Sequence, residues 1–311
     1  MESTSHTNPD IADLLLINPA AGGGRANSAL PGLQKFAHQC NWNVEFCVTN
    51  NPGDLADKAR QAARAGRKRI LVLGGDGTFQ LLLNAVADYP QTILGIIPAG
   101  GGNDLATALG FPPDPIQSAA KLLEGEVCLL DAARVRTADG NERFYAGGGG
   151  VGLDAEASRY ANGAYRNLHG RLRYVLSAIR ALRGFRAIRV RITIGCGERE
   201  ALEATALVVG ILNTPSYGAG LYLAPGAKTD DGKLELVILE DLSLLQILGL
   251  LPAFASRGTL NTKRLRRFST TCVSIETEPP SWFHGDGELL GMTPVVVTVV
   301  PRAIRMLRPA R

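Results

Sequence analysis

Three times in its first 104 residues the chain runs an apolar segment into a cluster of small residues and then into a helix-patterned stretch. Leu14-Leu15-Leu16-Ile17 leads into Asn18-Pro19-Ala20-Ala21-Gly22-Gly23-Gly24-Arg25, and Ile70-Leu71-Val72-Leu73 leads into Gly74-Gly75-Asp76-Gly77-Thr78. Ile93-Leu94-Gly95-Ile96-Ile97 leads into Pro98-Ala99-Gly100-Gly101-Gly102-Asn103-Asp104. In an open parallel sheet such loops all leave the carboxyl ends of their strands, so three of them converge on one crevice. Glycines let backbone N–H groups approach an anion while the following helix directs its positive end at the same place. One such motif also reads as an ordinary β-to-α connection with a capping Asp; three together suit a nucleotide. Asp76 would repel phosphate, unless it holds a divalent cation or orients a donor that cancels the charge.

Strands are expected near residues 14–17, 43–48, 69–73 and 93–97, alternating with helices near 28–39, 54–65, 79–87 and 116–123, which is a doubly wound parallel α/β sheet. From Val127 the pattern changes to short β-like segments at 134–135, 143–146, 188–194, 204–211, 234–239, 273–276 and 295–300, separated by Gly, Pro, Asn and Asp. Helices are expected near 170–182 and 242–254. The 311 residues therefore divide into a nucleotide-binding α/β domain over 10–127 and a mostly antiparallel β domain over 128–300. The tail from about 301 to 311 is expected to pack back onto the first domain.

Apolar content of 45% and charged content of 20% are a soluble globular balance. The polar first ten residues read as no signal peptide, and no apolar run is long enough to span a bilayer. Five widely spaced cysteines without a Cys-x-x-Cys read as unpaired residues of a cytoplasmic protein, peripheral at most to the inner face of the membrane. The four histidines lack metal-ligand spacing, and only His284 has interesting neighbours.

The ordered set of motifs resembles the diacylglycerol kinase catalytic family, which includes soluble bacterial lipid kinases and sphingosine kinases and shares its fold with NAD kinase. The resemblance runs from Asn18-Pro19 through Gly74 to Thr78, Pro98 to Asp104, Gly150-Val151-Gly152-Leu153-Asp154-Ala155, Tyr217-Gly218-Ala219-Gly220, Ala224-Pro225 and Asp231-Gly232 to Asp286-Gly287-Glu288. It implies ATP as phosphate donor, bound by Asn18, Pro19, Ala20, Ala21 and Gly22, by Thr49, by Gly74, Gly75, Asp76, Gly77, Thr78, Phe79 and Gln80, and by the turn containing Gly101. It implies magnesium organised by Asp76 and Asp104. A structural magnesium is implied at Asp231 and the main-chain carbonyls of Lys228 and Lys233, although the same Asp-Asp-Gly segment also reads as a metal-free turn. Glu288 matches the residue that accepts the proton of the lipid hydroxyl. A glutamate is too weak a base to remove that proton beforehand and must take it late, as the phosphoryl group arrives.

Nine arginines and no acid occupy 159–191, with Leu172, Val175, Leu176, Ile179 and Leu182 at helical spacing between Arg171, Arg173 and Arg180. Arg257, Lys263, Arg264, Arg266 and Arg267 form a second basic cluster. Together they suit an anionic membrane surface, or a core-packed helix with a solvated rim. Nucleic acid is not expected, because no aromatics interleave with the charges and no recognition motif accompanies them. Oligomeric state is left open, a homodimer included.

Two residues depart from the family pattern: Gly101 stands where Ser or Thr is usual, and Gln80 where Asn is usual. The leading expectation is an ATP-dependent lipid kinase acting on a diacylglycerol-like or long-chain-base hydroxyl. An NAD kinase explains less of the chain, and a regulator with weakened catalysis is opposed by the intact acidic set.

Overall fold

A computed structural model describes residues 12–164, 186–195, 201–218, 222–242 and 263–310, together with residues 176, 177, 180, 181, 220 and 246. Strands β1 (Asp13–Ile17), β2 (Val44–Val48), β3 (Arg69–Gly74) and β4 (Ile93–Pro98) form a parallel sheet in the order β2-β1-β3-β4. After their first residues β3 and β4 are buried throughout, the pattern of strands covered on both faces. Helices α1 (Arg25–Gln39) and α5 (Pro115–Leu123) pack together, as do α2 (Pro52–Arg64) and α3 (Asp76–Ala85). Side-chain caps set two of the starts: Asn51 accepts from the Asp54 amide and Asp114 from those of Ile116 and Gln117, each followed by a proline at the first helical position. Helix α3 begins three residues earlier than expected, because Asp76-Gly77-Thr78 is itself its first turn.

The second half is antiparallel. Its elements are β5 (Glu126–Thr137), β6 (Glu142–Tyr145), β7 (Gly148–Gly152), β8 (Ile188–Ile194), β9 (Ala201–Leu212), β10 (Leu234–Glu240), β11 (Leu265–Thr270), β12 (Cys272–Glu278), β13 (Trp282–Gly285), β14 (Glu288–Met292) and β15 (Val295–Arg308). Two further short helices are α4 (Asp104–Ala108) after β4 and α6 (Leu153–Asn162) after β7, and a 3-10 turn spans Ala21–Gly23 in the first loop. Strand β15 runs antiparallel to β5 along most of its length, and at Arg305 and Met306 it also pairs in parallel with β4. One continuous ladder thus links two hydrophobic cores, one around Leu15, Leu71 and Phe79, the other around Val209, Ile275 and Phe283.

Strand β5 is far longer than the 134–135 segment expected. The interruption is Asp131, which is buried yet satisfied, accepting from the amides of Gly232 (2.6 Å) and Arg302 (2.8 Å). Strand β7 was not expected either, since its Gly-Gly-Gly-Val-Gly sequence carries almost no side-chain pattern. The helices expected over 170–182 and 242–254 fall largely outside the described residues. Cys40, Cys47 and Cys128 are free, but Cys272 is disulfide-bonded, which corrects the reading of all five cysteines as unpaired and removes that argument for a reducing compartment. Among the described residues no helix is long and apolar enough to cross a membrane.

Candidate active site

The three glycine-rich loops meet at backbone contact. Gly22 sits at φ +59°, where a side chain would be strained, and a Cβ there would lie 2.0 Å from the carbonyl oxygen of Ala99. A Cβ on Gly75 would come within 2.9 Å of the Gly100 Cα, and one on Gly100 within 2.5 Å of the Gly75 Cα. Only glycines let these loops approach so closely. Arg25, which the sequence reading passed over, bridges them further by donating to the carbonyls of Gly100 and Pro113, each at 3.2 Å. Asn103 folds back on Gly100, accepting from its amide at 2.9 Å and donating to its carbonyl at 3.0 Å.

Several of the expected nucleotide contacts hold the loops themselves. Asn18 donates to the Thr78 hydroxyl (3.0 Å) and accepts from the Ala20 amide, which locks the first loop, with Pro19, Ala20 and Ala21, to the start of α3. Buried Thr49 donates its hydroxyl to the carbonyl of Ile17 at 2.9 Å. Gln80 is buried alongside Phe79, and its amide donates to the Gly285 carbonyl at 3.0 Å, so this departure from the family pattern ties α3 to the hairpin of β13 and β14. Gly101 is half-buried, and its backbone is not in the left-handed region.

Four carboxylates gather over the first turn of α3. Asp76 accepts from the amides of Asp104 and Leu105, both at 3.1 Å, and so joins the second loop to the third. Asp104 accepts from the Ser216 hydroxyl (2.8 Å) and the Gly220 amide (3.0 Å). Asp286, which the sequence marks only as the first residue of Asp286-Gly287-Glu288, accepts from the amides of Ala146, Gly147 and Gly148 at 2.8 to 3.1 Å. Glu288 reaches so near the helix start that a Cβ on Gly77 would lie 3.0 Å from its Oε1. Desolvation, and then the neighbouring charges of Asp104 and Asp286, push the Asp76 carboxyl up to about 7. Desolvation likewise raises Asp286 to about 6, opposed by its three amide donors.

This acid-rich setting fits magnesium. Among the described residues no group of three or more His, Cys, Asp or Glu is placed to hold a metal ion. Asp76 and Asp104 would hold the ion as partial ligands, leaving the remainder to phosphate oxygens and water, which is how magnesium usually binds. When bound, the ion supplies positive charge beside the phosphates.

In the Lys228 to Lys233 turn, backbone amides donate to two carboxylates. Asp231 accepts from the Lys233 amide at 3.1 Å, and Asp131 accepts from Gly232. The turn is wired to the site: the Asn213 side-chain amide donates to the carbonyls of Asp131 (3.0 Å) and Ala146 (2.9 Å), and the Ala146 amide donates to Asp286.

Behind Asp286 lies a buried group that sequence reasoning did not assemble. The Tyr217 hydroxyl donates to Asp154 (2.7 Å) and contacts His284 Nε2, and His284 Nε2 stands 3.3 Å from Asp154. Desolvation and Asp154 raise the Tyr217 hydroxyl well above its ordinary range, so it remains a neutral donor. Close glycines admit this group: a Cβ on Gly148 would strike the Tyr217 ring at 2.7 Å.

A parallel α/β half with three converging glycine loops, facing a β half that presents a glutamate, defines a kinase-type phosphotransferase. The diacylglycerol kinase catalytic domain model matches residues 13–135, and the model described as YegS C-terminal NAD kinase beta sandwich-like domain matches residues 148–308. A Mycobacterium tuberculosis protein named diacylglycerol kinase is 30% identical over 303 residues, covering 94% of each chain. A Stenotrophomonas maltophilia protein named "Probable lipid kinase YegS-like" is 28% identical over 274 residues, covering 86% of this chain and 87% of that one. A crystal structure of a diacylglycerol kinase from Bacillus anthracis superposes with TM-score 0.70 at 21% identity, covering 96% of both chains. Yeast NADH kinase shares the fold more distantly, with TM-score 0.52 at 13% identity over 97% of this chain and 84% of that one. The chain belongs to the diacylglycerol kinase catalytic family, and at that level it is a lipid kinase.

Proposed function

We propose that the protein transfers the γ-phosphoryl group of ATP to a hydroxyl of a diacylglycerol-like or long-chain-base lipid. The observation that carries this reading is the approach of Glu288, on the β half, to Gly77 at the amino end of α3. A proton acceptor and a phosphate-directed helix end then face the same small volume. The helix end and the amides of the three loops orient the triphosphate, and Asp76 and Asp104 would hold the magnesium that accompanies it. As the acceptor oxygen forms its bond to phosphorus, the bond from phosphorus to the bridging oxygen breaks and ADP leaves. The hydroxyl proton passes to the Glu288 carboxylate as its oxygen loses electron density.

Labelled ATP with mixed micelles of candidate lipids, and separately with NAD, tests the reading. Phosphorylated lipid that requires magnesium is expected; product from NAD and none from lipid overturns it. E288Q should lower kcat by roughly a hundredfold or more with little change in ATP binding. D76N should be at least as damaging. Near-normal turnover in E288Q removes that residue from the chemistry.

A further inference from the structure

We propose that the surface around Trp282 and Met292 docks the protein onto an anionic lipid bilayer, the two side chains entering the interface and Arg180 and Arg186 meeting headgroup phosphates. This deepens the lipid-kinase reading and rests on it. Trp282 and Met292 are cross-strand partners on β13 and β14, 37% and 38% exposed, two of the five large apolar side chains exposed among the described residues. With Pro279 and Pro280 they form one side of a cavity of about 510 Å³, whose other side comes from α6 and the start of β8. There Tyr160 lies beneath two guanidinium groups, Arg159 at 4.8 Å and Arg180 at 5.7 Å from its ring centre, and Arg186 lines the same cavity.

The charge around this apolar centre favours an anionic occupant. Of the acids nearby, Glu156 is paired with Arg159 at 2.9 Å and Glu278 stands opposite Arg189 across the β12–β8 register. Glu276 and Glu203 likewise stand opposite Arg191, which leaves Arg180 and Arg186 in excess among the described residues on this side of the molecule. Tryptophan, tyrosine and methionine among arginines match a bilayer interface, where aromatic rings sit at headgroup depth and basic side chains reach phosphates.

The patch is also placed to serve the cleft. From Met292, β14 leads back to Glu288 in four residues, which at about 3.4 Å per residue is roughly 14 Å. Helix α6 spans the same interval, from Asp154 behind the site to Tyr160 in the patch. Docking here would bring a bilayer-borne hydroxyl to the cleft without full extraction of its chains.

The test is tryptophan fluorescence of the full-length protein with vesicles of phosphatidylcholine alone or mixed with phosphatidylglycerol. The chain has two tryptophans. Trp42 is held in the α/β half by a 2.8 Å hydrogen bond to Asp13, so the difference between wild type and W282F, which keeps an aromatic ring, isolates Trp282. Expected are a blue shift of the Trp282 signal and its quenching by lipids brominated on the acyl chain, with the mixed vesicles and not with phosphatidylcholine alone. R180Q/R186Q should weaken vesicle affinity roughly twenty-fivefold, about fivefold per arginine. Binding without a Trp282 response, equal binding to neutral vesicles, or no binding at all overturns the proposal. Phosphoryl transfer to a short-chain acceptor in solution is measured in parallel: its absence beside a normal Trp282 response sinks the proposed function and not the surface, and its presence without that response does the reverse.

Discussion

At the residue scale, the site is shaped by a few close approaches. Gly101 offers a direct probe, because its backbone is not left-handed and a side chain there carries no φ penalty. G101A should leave ATP affinity unchanged, whereas G101T adds a hydroxyl worth about 0.5 to 1.5 kcal/mol and should tighten ATP roughly twofold to tenfold by titration. Weakening by both substitutions would show that the glycine is needed for its space. Proton linkage gives a second test. Asp76 near 7 and Asp286 near 6 in the ligand-free protein hold protons that the unfolded chain releases near its ordinary carboxyl value of 3.8. Their contribution to stability is complete below that value and is lost as pH rises through 6 to 7. The melting temperature of the ligand-free protein should therefore fall between pH 5.5 and 8. Magnesium with a non-hydrolysable ATP analogue should raise it more at pH 8 than at pH 5.5, because the cation replaces the proton. An equal increment at both values would remove the carboxylate cluster as the cation site.

At the element scale, α3 is the part on which both halves converge. Its amino end meets Glu288, Gln80 donates to Gly285 of β13, and Asn84 pairs twice with the backbone of Phe144 in β6, each bond 2.8 Å. Q80A leaves the buried Gly285 carbonyl without this donor, so it should cost about 1 to 3 kcal/mol in denaturant unfolding. Because that carbonyl lies three residues before Glu288, kcat should fall as well, with little change in KM for ATP. Unchanged kcat in a destabilised Q80A would show that the hairpin keeps its position without this tether. The strand that reads worst in sequence, β7, is the one most constrained by neighbours: a Cβ on Gly149 or Gly150 would stand 2.5 or 2.4 Å from the carbonyl oxygens of His284 or Val209. Its glycines answer to strands far away in the chain, and so no local periodicity announces it.

At the scale of the whole molecule, β15 and β5 run through both cores, and β15 closes against β4. The two halves should therefore unfold together. Trp42 reports on one half and Trp282 on the other, so the fluorescence transitions of wild type and W282F in urea should share a midpoint; separated midpoints would show that the shared ladder does not couple them.

The sequence by itself determined the parallel α/β half, the three converging glycine-rich loops and the acidic residues Asp76, Asp104 and Glu288. Each is written locally, in an apolar run followed by small residues or in a short motif, and β-to-α connections obey local rules. Only the tertiary structure decided what those residues meet. Thr49 and Gln80 belong to linear motifs, and only the fold brings Ile17 and Gly285 beside them as hydrogen-bond partners. Asp286 becomes a charged neighbour of Asp76, and Asp154, Tyr217 and His284 become one buried group, through strand pairings between residues as far apart as Gly149 and Gly285. Such contacts follow from long-range antiparallel register, whose partners no local pattern specifies.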